Sequence, residues 1–334
     1  TLIAQQREWI SLSNQNWANA SSWSPASVPP NKSILEFKGT GTVLNSINNQ
    51  ATTLTYRKLY FSGNKGYTIK GNQITLLDAA IGGGNGWIHS ASTAAQIITP
   101  NTLASSQIIF NDAGKSGVIS TSNTGTLTLG NLGLGANLTS LKIYGENTIA
   151  TITISGAILG SRPITIGPNE LGDLKVNTRA IFSGDNSTFT GPIHIESGSL
   201  NLRATNSDGI SPTEYITVEN NAALFVGGGS NITLSGKKII LNGPGISSTG
   251  ALRNVSGYNT ITSHILLDNS STITSAGGTL NLTNIGKVVG GALDWDLTFA
   301  GTGAINILGT GSIGSINDSL PFGNLIKREA GLLT

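Results

Sequence analysis

The feature that most constrains this chain is a short, repeated step between apolar pairs. Over residues 215–243 the pairs Ile216/Val218, Leu224/Val226, Ile232/Leu234 and Ile239/Leu241 start 8, 8 and 7 residues apart. Within a pair the spacing is two, so both side chains point to the same side of an extended strand. Between the pairs lie Glu219-Asn220-Asn221, Gly227-Gly228-Gly229-Ser230 and Ser235-Gly236-Lys237, which are turn-forming residues. Strands at this step fit two architectures. One is an antiparallel sandwich or barrel built from hairpins. The other is a three-sided coil of about 23 residues per turn that stacks parallel strands.

Three observations favour the coil. The short step recurs at Leu127/Leu129 with Leu132/Leu134, at Ile193/Ile195 with Leu200/Leu202, and at Ile265/Leu267, Ile273 and Leu280/Leu282, leaving little room for long crossovers. Asn-Gly, a strong hairpin signal, occurs only at Asn85-Gly86 and Asn242-Gly243. The turns are rich in Asn, Ser and Thr, whose side chains can bond from coil to coil. The expected fold is therefore all-β, a right-handed parallel β-helix (β-solenoid). Its core should include Val218, Leu224, Ile232, Leu234, Ile239 and Leu241. At one strand spacing per coil the rod would be roughly 70 Å long.

Residues 1–60 differ from the rest. They hold Trp9, Trp17, Trp23, Phe37, Tyr56 and Tyr60 together with Pro25, Pro29 and Pro30. A solenoid must cover its first coil, because an open strand edge recruits other strands. The expected organisation is an aromatic, proline-rich N-terminal cap over 1–60 and solenoid repeats over 61–334, continuing beyond 334.

Composition narrows the partners. Charged residues make up 11% of the chain and the formal net charge is +2, so solubility must come from hydroxyl and amide groups. Paired basic residues such as Lys237-Lys238 and Lys327-Arg328 could not neutralise a row of phosphates, which argues against nucleic acid. There is no Cys, which excludes disulfides and thiolate metal sites, and no Met at position 1 or elsewhere. The missing initiator is what a removed signal peptide or a trimmed chain would leave. No run of 18 apolar residues exists, so no transmembrane helix is expected.

Several segments carry a family resemblance. Residues 183–202 read SGDNSTFTGPIHIESGSLNL, and residues 250–283 read GALRNVSGYNTITSHILLDNSSTITSAGGTLNLT. Residues 325–334 read LIKREAGLLT, with Arg328-Glu329 where a small Thr-Gly would be usual, and residues 16–37 read NWANASSWSPASVPPNKSILEF. These resemble the autotransporter-associated β-strand repeat, also called the passenger-associated transport repeat, most strongly over 180–334. The resemblance implies a secreted or surface-exposed bacterial β-helix, often part of a longer chain. It implies no single activity.

Signals for chemistry are sparse. His89, His194 and His264 lie in separate segments without metal-ligand spacing, and no zinc-protease, nucleophile-elbow or phosphate-loop sequence occurs. The calcium-binding nonapeptide repeat is absent too, so no cofactor or metal is expected. His194, between Ile193 and Ile195, should face outward. Asp294 and Asp296 flank Trp295 and would share a strand face, where carboxylates beside a ring could hold a sugar; a solvated strand face or coil edge is the simpler reading. Trp9, Trp17 and Trp23 could form a saccharide-stacking platform or the buried core of the cap. The leading expectation is a structural or adhesive module, not an enzyme, located outside the cell or on its surface. The alternative is a carbohydrate-binding or polysaccharide-degrading β-helix. Partners would be surface glycans, further repeats, or a second copy of the chain. The end that would dock is Leu325, Ile326, Leu332 and Leu333, where the pattern stops in mid-repeat.

Overall fold

The structure is a computed structural model. It describes the chain apart from residues 1–4, 14, 40–41, 43, 78–85, 101–106, 147–150, 170, 174–177, 210, 212, 229–230, 288–294 and 309–323. Strand accounts for 51% of it and helix for 2%, and the strands stack in parallel as a β-solenoid of about 11 turns. The sandwich alternative is thereby excluded.

Three stacks of parallel pairing run along the rod. The first begins with Gln6–Trp9, Ser33–Phe37, Thr55–Phe61, Trp87–Ser90, Ser116–Thr121 and Ser140–Gly145, and continues through Ile193–Ile195 to Lys238–Gly243. The second runs from Asn45–Asn48 through Thr151–Ile154 and Ala222–Val226 to Leu325–Lys327. The third includes Ile74–Leu76, Ile108–Phe110 and Leu132–Leu134, and later Thr233–Leu234 and Ala304–Ile307. One 18-residue strand, Tyr258–Ser275, serves all three stacks in turn.

Alternation explains the core. Ile216, Val218, Leu224, Val226, Ile232, Leu234, Ile239 and Leu241 are all buried, as the sequence spacing requires. Ile216 sits in register with Ile239, so this coil takes 23 residues. Other coils range from 20 residues (Ile265 to Ile285) to 34 (Ile74 to Ile108). Within the ladders the register shifts by a residue or two at Ser33/Ile34, Leu241/Gly243 and Ile261/His264. About 11 turns at one strand spacing make a rod of roughly 50 Å, shorter than the sequence estimate because the coils are longer.

The corners are built from backbone that bends sharply and amides that span coils. Gly71 has φ of 101°, and a Cβ there would lie 2.3 Å from the Asn48 carbonyl oxygen, so only glycine fits. Asn254 Nδ2 donates to Gly277 O (2.8 Å), Asn259 Nδ2 donates to Asn254 Oδ1 (2.6 Å), and Ile232 N donates to Asn259 Oδ1 (3.0 Å). On the outer side of the third stack, Asn281 Nδ2 donates to Thr260 Oγ1 (3.3 Å) and Asn306 Nδ2 to Asn281 Oδ1 (2.9 Å). Thr334 Oγ1 donates to Asn306 Oδ1 (2.6 Å), so the chain of bonds links four coils.

At the N-terminal end, Trp23–Ser24 pairs antiparallel with Gln6–Trp9, whose other edge pairs with Ser33–Phe37. The first strand is thus covered on the side that would otherwise stay open. Parallel pairing already runs through Ser33–Phe37, Asn45–Asn48 and Thr55–Phe61. The antiparallel cap therefore occupies only the turns around Trp23.

Candidate functional site

Trp9, Trp17 and Trp23 are fully buried. Trp9 and Trp23 meet edge to face at 5.0 Å, Trp17 and Trp23 at 5.9 Å, and Phe37 stacks on Phe61 at 5.1 Å. Trp23 Nε1 donates to Trp17 O (2.9 Å), and Trp17 Nε1 donates to Ser46 Oγ. These rings are the core of the cap and turn no face to solvent. Asp294 lies outside the described residues. Trp295 is half-buried against the core. Asp296 Oδ1 accepts bonds from Asn324 N (2.7 Å) and Nδ2 (2.9 Å), which ties one coil to the next at a corner. Leu325 and Leu332 are exposed, Ile326 is half-buried, and Leu333 bridges to Ile305 and packs on the core. His194 is half-buried on the outer side between buried Ile193 and Ile195.

The richest outward cluster joins residues far apart in sequence. Register places Glu8, Glu36, Tyr60, His89, Ser120 and Tyr144 in one outward row along the first stack. A second row holds Lys58, Trp87, Val118 and Lys142. Their strand neighbours Leu59, Phe61 and Ile88 point inward and are buried, which fixes the outward side.

Lys58 Nζ lies 4.0 Å from the centre of the Trp87 ring and 4.6 Å from that of Tyr60. His89 lies 5.5 Å from Tyr60 and 5.4 Å from Trp87. Burial lowers the Lys58 pKa, opposed by the charges of Glu146 and Glu36. Neither carboxylate is within ion-pair distance of it; the ion pairs among the described residues are Lys38 with Glu8 (3.3 Å) and with Glu36 (3.5 Å). Glu36 also accepts from Ser62 Oγ (3.0 Å) and from Gln6 Nε2. The adjacent carboxylates Glu8 and Glu36 are thus held together by a lysine.

His89 is 8% exposed, and burial, helped by the Lys58 charge, brings its pKa down to about 4. Its tautomer follows from its partners. Trp87 Nε1 donates to Ser120 Oγ (2.8 Å), and Ser120 Oγ lies 2.7 Å from His89 Nδ1. Ser120 is fully buried, so its own proton must go to Nδ1. The ring proton then sits on Nε2 and points to Ser122 Oγ (3.2 Å). An imidazole in this state cannot take a proton from Ser122, and Ser120, whose proton it does accept, is fully buried.

A second unusual group lies inside the rod. Asp208 and Lys237 are both buried, and Lys237 Nζ lies 4.8 Å from the centre of the Phe189 ring. Asp208 Oδ2 accepts from Gly236 N (3.2 Å) and Lys237 N (3.4 Å), while its Oδ1 has no partner. Burial pushes Asp208 up to about 6, against the pull of those N–H groups, and Lys237 down to about 8, against Asp208 and Glu214.

Among the described residues no three His, Asp or Glu side chains gather as metal ligands, and no helix is long and apolar enough to cross a membrane. The fold and the outward strip define a parallel β-solenoid with an aromatic, cation-bearing face. Comparison with known proteins returns no matching family model, curated relative or solved structure. The likeness to the autotransporter-associated repeat therefore rests on the sequence motifs alone.

Proposed function

We propose that this chain is a structural or adhesive module of an extracellular surface fibre or large adhesin. The observation that carries the reading is the unbroken parallel stack of about 11 turns over one aliphatic core. Such a body converts sequence into length and presents flat, repetitive faces to partners. Its outer ladders of Asn, Thr and Ser are hydrated without much charge, which suits a passive surface. Growth by further coils or by a second copy belongs to the same proposal. The last described coil pairs Leu325–Lys327 with Leu297–Ala300 and leaves Leu325 and Leu332 exposed.

Antibody labelling of intact source cells, read by electron microscopy, tests this. Labelled rods or filaments outside the envelope are expected. Label that appears only after permeabilisation overturns the reading. The alternative, carbohydrate binding, is favoured by one observation, the contact of Lys58 with Trp87 and Tyr60 on an outward face.

A further inference from the structure

Lys58 is a half-buried cation whose ammonium rests on two ring faces. No hydrogen bond or ion pair joins it to another side chain among the described residues. A charge that has lost part of its water and gained no counter-ion is a standing acceptor for an anion. Its surroundings choose the kind of anion. Trp87 and Tyr60 are, like Lys58, half-buried with part of each ring open, and the apolar C–H faces of a pyranose pack well on such rings. Trp87 is held in place by its bond to Ser120 and by His89 against its edge, so the platform is set before a ligand arrives. His89 is kept neutral and so does not compete with Lys58 for the ligand's charge. Successive rows repeat at the strand spacing of about 4.8 Å, close to the length of one sugar residue, so a glycan laid along the rod would stay in step with the coils.

We propose that Lys58, Tyr60 and Trp87 form a subsite for a carboxylate-bearing saccharide, the ammonium taking the carboxylate and the rings the sugar faces. Glu36 and Glu146, whose charges reach Lys58, set a limit on specificity: a polyanion crowding that side is repelled, whereas a single carboxylate directed at Lys58 is not. This deepens the adhesive reading and names the chemistry of one contact surface.

The test uses the whole chain and a short neutral oligosaccharide that ends in a single galacturonic acid, with binding followed by titration calorimetry. Saturable binding that weakens as salt rises is expected. The methyl-esterified oligomer, which has the same sugar and no charge, binds roughly tenfold or more weaker. Lys58→Met, which keeps the stem and removes the charge, loses binding by a similar factor of about ten. Lys58→Arg keeps it within about threefold, which shows that Lys58→Met has lost a charge and not its fold. Four results overturn the proposal: no saturable binding by the unaltered chain, equal binding of the ester, undiminished binding by Lys58→Met, or acetate alone binding as tightly as the oligomer. None of these bears on whether the rods stand outside the cell, so the two readings fail separately.

Discussion

Lys237 sends its side chain along the inside of the rod and places Nζ 3.3 Å from the carbonyl oxygen of Phe189, 48 residues earlier. Two coils are crossed, because Asp208 and Gly209 occupy the coil between. A Cβ on Gly209 would stand 3.0 Å from that nitrogen, so glycine leaves the passage open. The fit has an energetic drawback. A charge is held where water is excluded, and its partner Asp208 keeps an oxygen unsatisfied.

The drawback gives the first prediction. Asp208 and Lys237 feel each other's charge without lying within ion-pair distance, and buried charges replaced together by neutral groups of similar shape often leave stability unchanged or raise it by about 1–4 kcal/mol. The double variant Asp208→Asn/Lys237→Met should therefore melt no lower than the parent. Lys237→Met alone should fare worse than the double variant, because Asp208 is then left charged without its cation. Differential scanning calorimetry of both variants at neutral pH checks this.

Acid should loosen one part of the rod and tighten another. His89 falls from its ordinary 6.5 to about 4, so its neutral form supports folding fully above 6.5 and that support is lost as pH falls towards 4. Asp208 rises from 3.8 to about 6, so its contribution is full below 3.8 and is lost as pH rises through 6. Each effect is on the order of 3 kcal/mol at most, and they oppose one another. A global melt should change little between pH 7 and pH 5. Hydrogen exchange, corrected for intrinsic rates, should show protection falling over 87–90 and 116–121 and rising over 232–241. A uniform change along the chain would contradict the assignment.

Truncating the core has a local cost. Leu234→Ala removes a fully buried side chain, with an expected loss of about 2–5 kcal/mol. Because coils contact chiefly their neighbours, unfolding should become less cooperative as well as earlier. Fluorescence of the distant N-terminal tryptophans and the overall circular dichroism should then report different midpoints.

The cap makes a different prediction. Trp23 packs against Trp9, Trp17 and Phe37 and carries the antiparallel strand that covers Gln6–Trp9. Trp23→Ala should lower stability by about 3–5 kcal/mol and expose a strand edge that pairs with other molecules. Light scattering should rise well below the melting temperature. A variant that melts early yet stays monomeric would show that the edge is protected by something else.

On the outer ladder the effect is smaller. Asn306 joins Asn281 to Thr334, and Asn306→Ala breaks both bonds. Its partners are part-exposed and can bond to water, so the loss should be near 1 kcal/mol. Faster exchange should appear over 297–307 and leave the first coils untouched.

The core was legible because alternation is a local signal. Ile216/Val218 and Ile239/Leu241 announce a strand within three residues, and their separation happened to equal a coil. The outward site was not legible for the opposite reason. Tyr60, His89 and Ser120 become neighbours only through coils of 29 and 31 residues, set by corner insertions that carry no period. A signal did exist: Tyr60 lies between inward Leu59 and Phe61, and His89 between Ile88 and Ser90. Aligning those strands by their inward residues would have put the two rings side by side. The tryptophans of the cap were read first as its buried core, and their burial removes the saccharide platform that the same cluster of rings left open.

The coil lengths also govern how such a rod would respond to force. Its backbone hydrogen bonds lie along the axis, so tension between the two ends loads one ring of bonds at a time and peels coils in sequence. Coils of 20 to 34 residues would each release roughly 70–120 Å of extended chain, many times the height given up. Under sudden load the molecule would behave as a spooled line, yielding length in steps while the remaining turns stay wound.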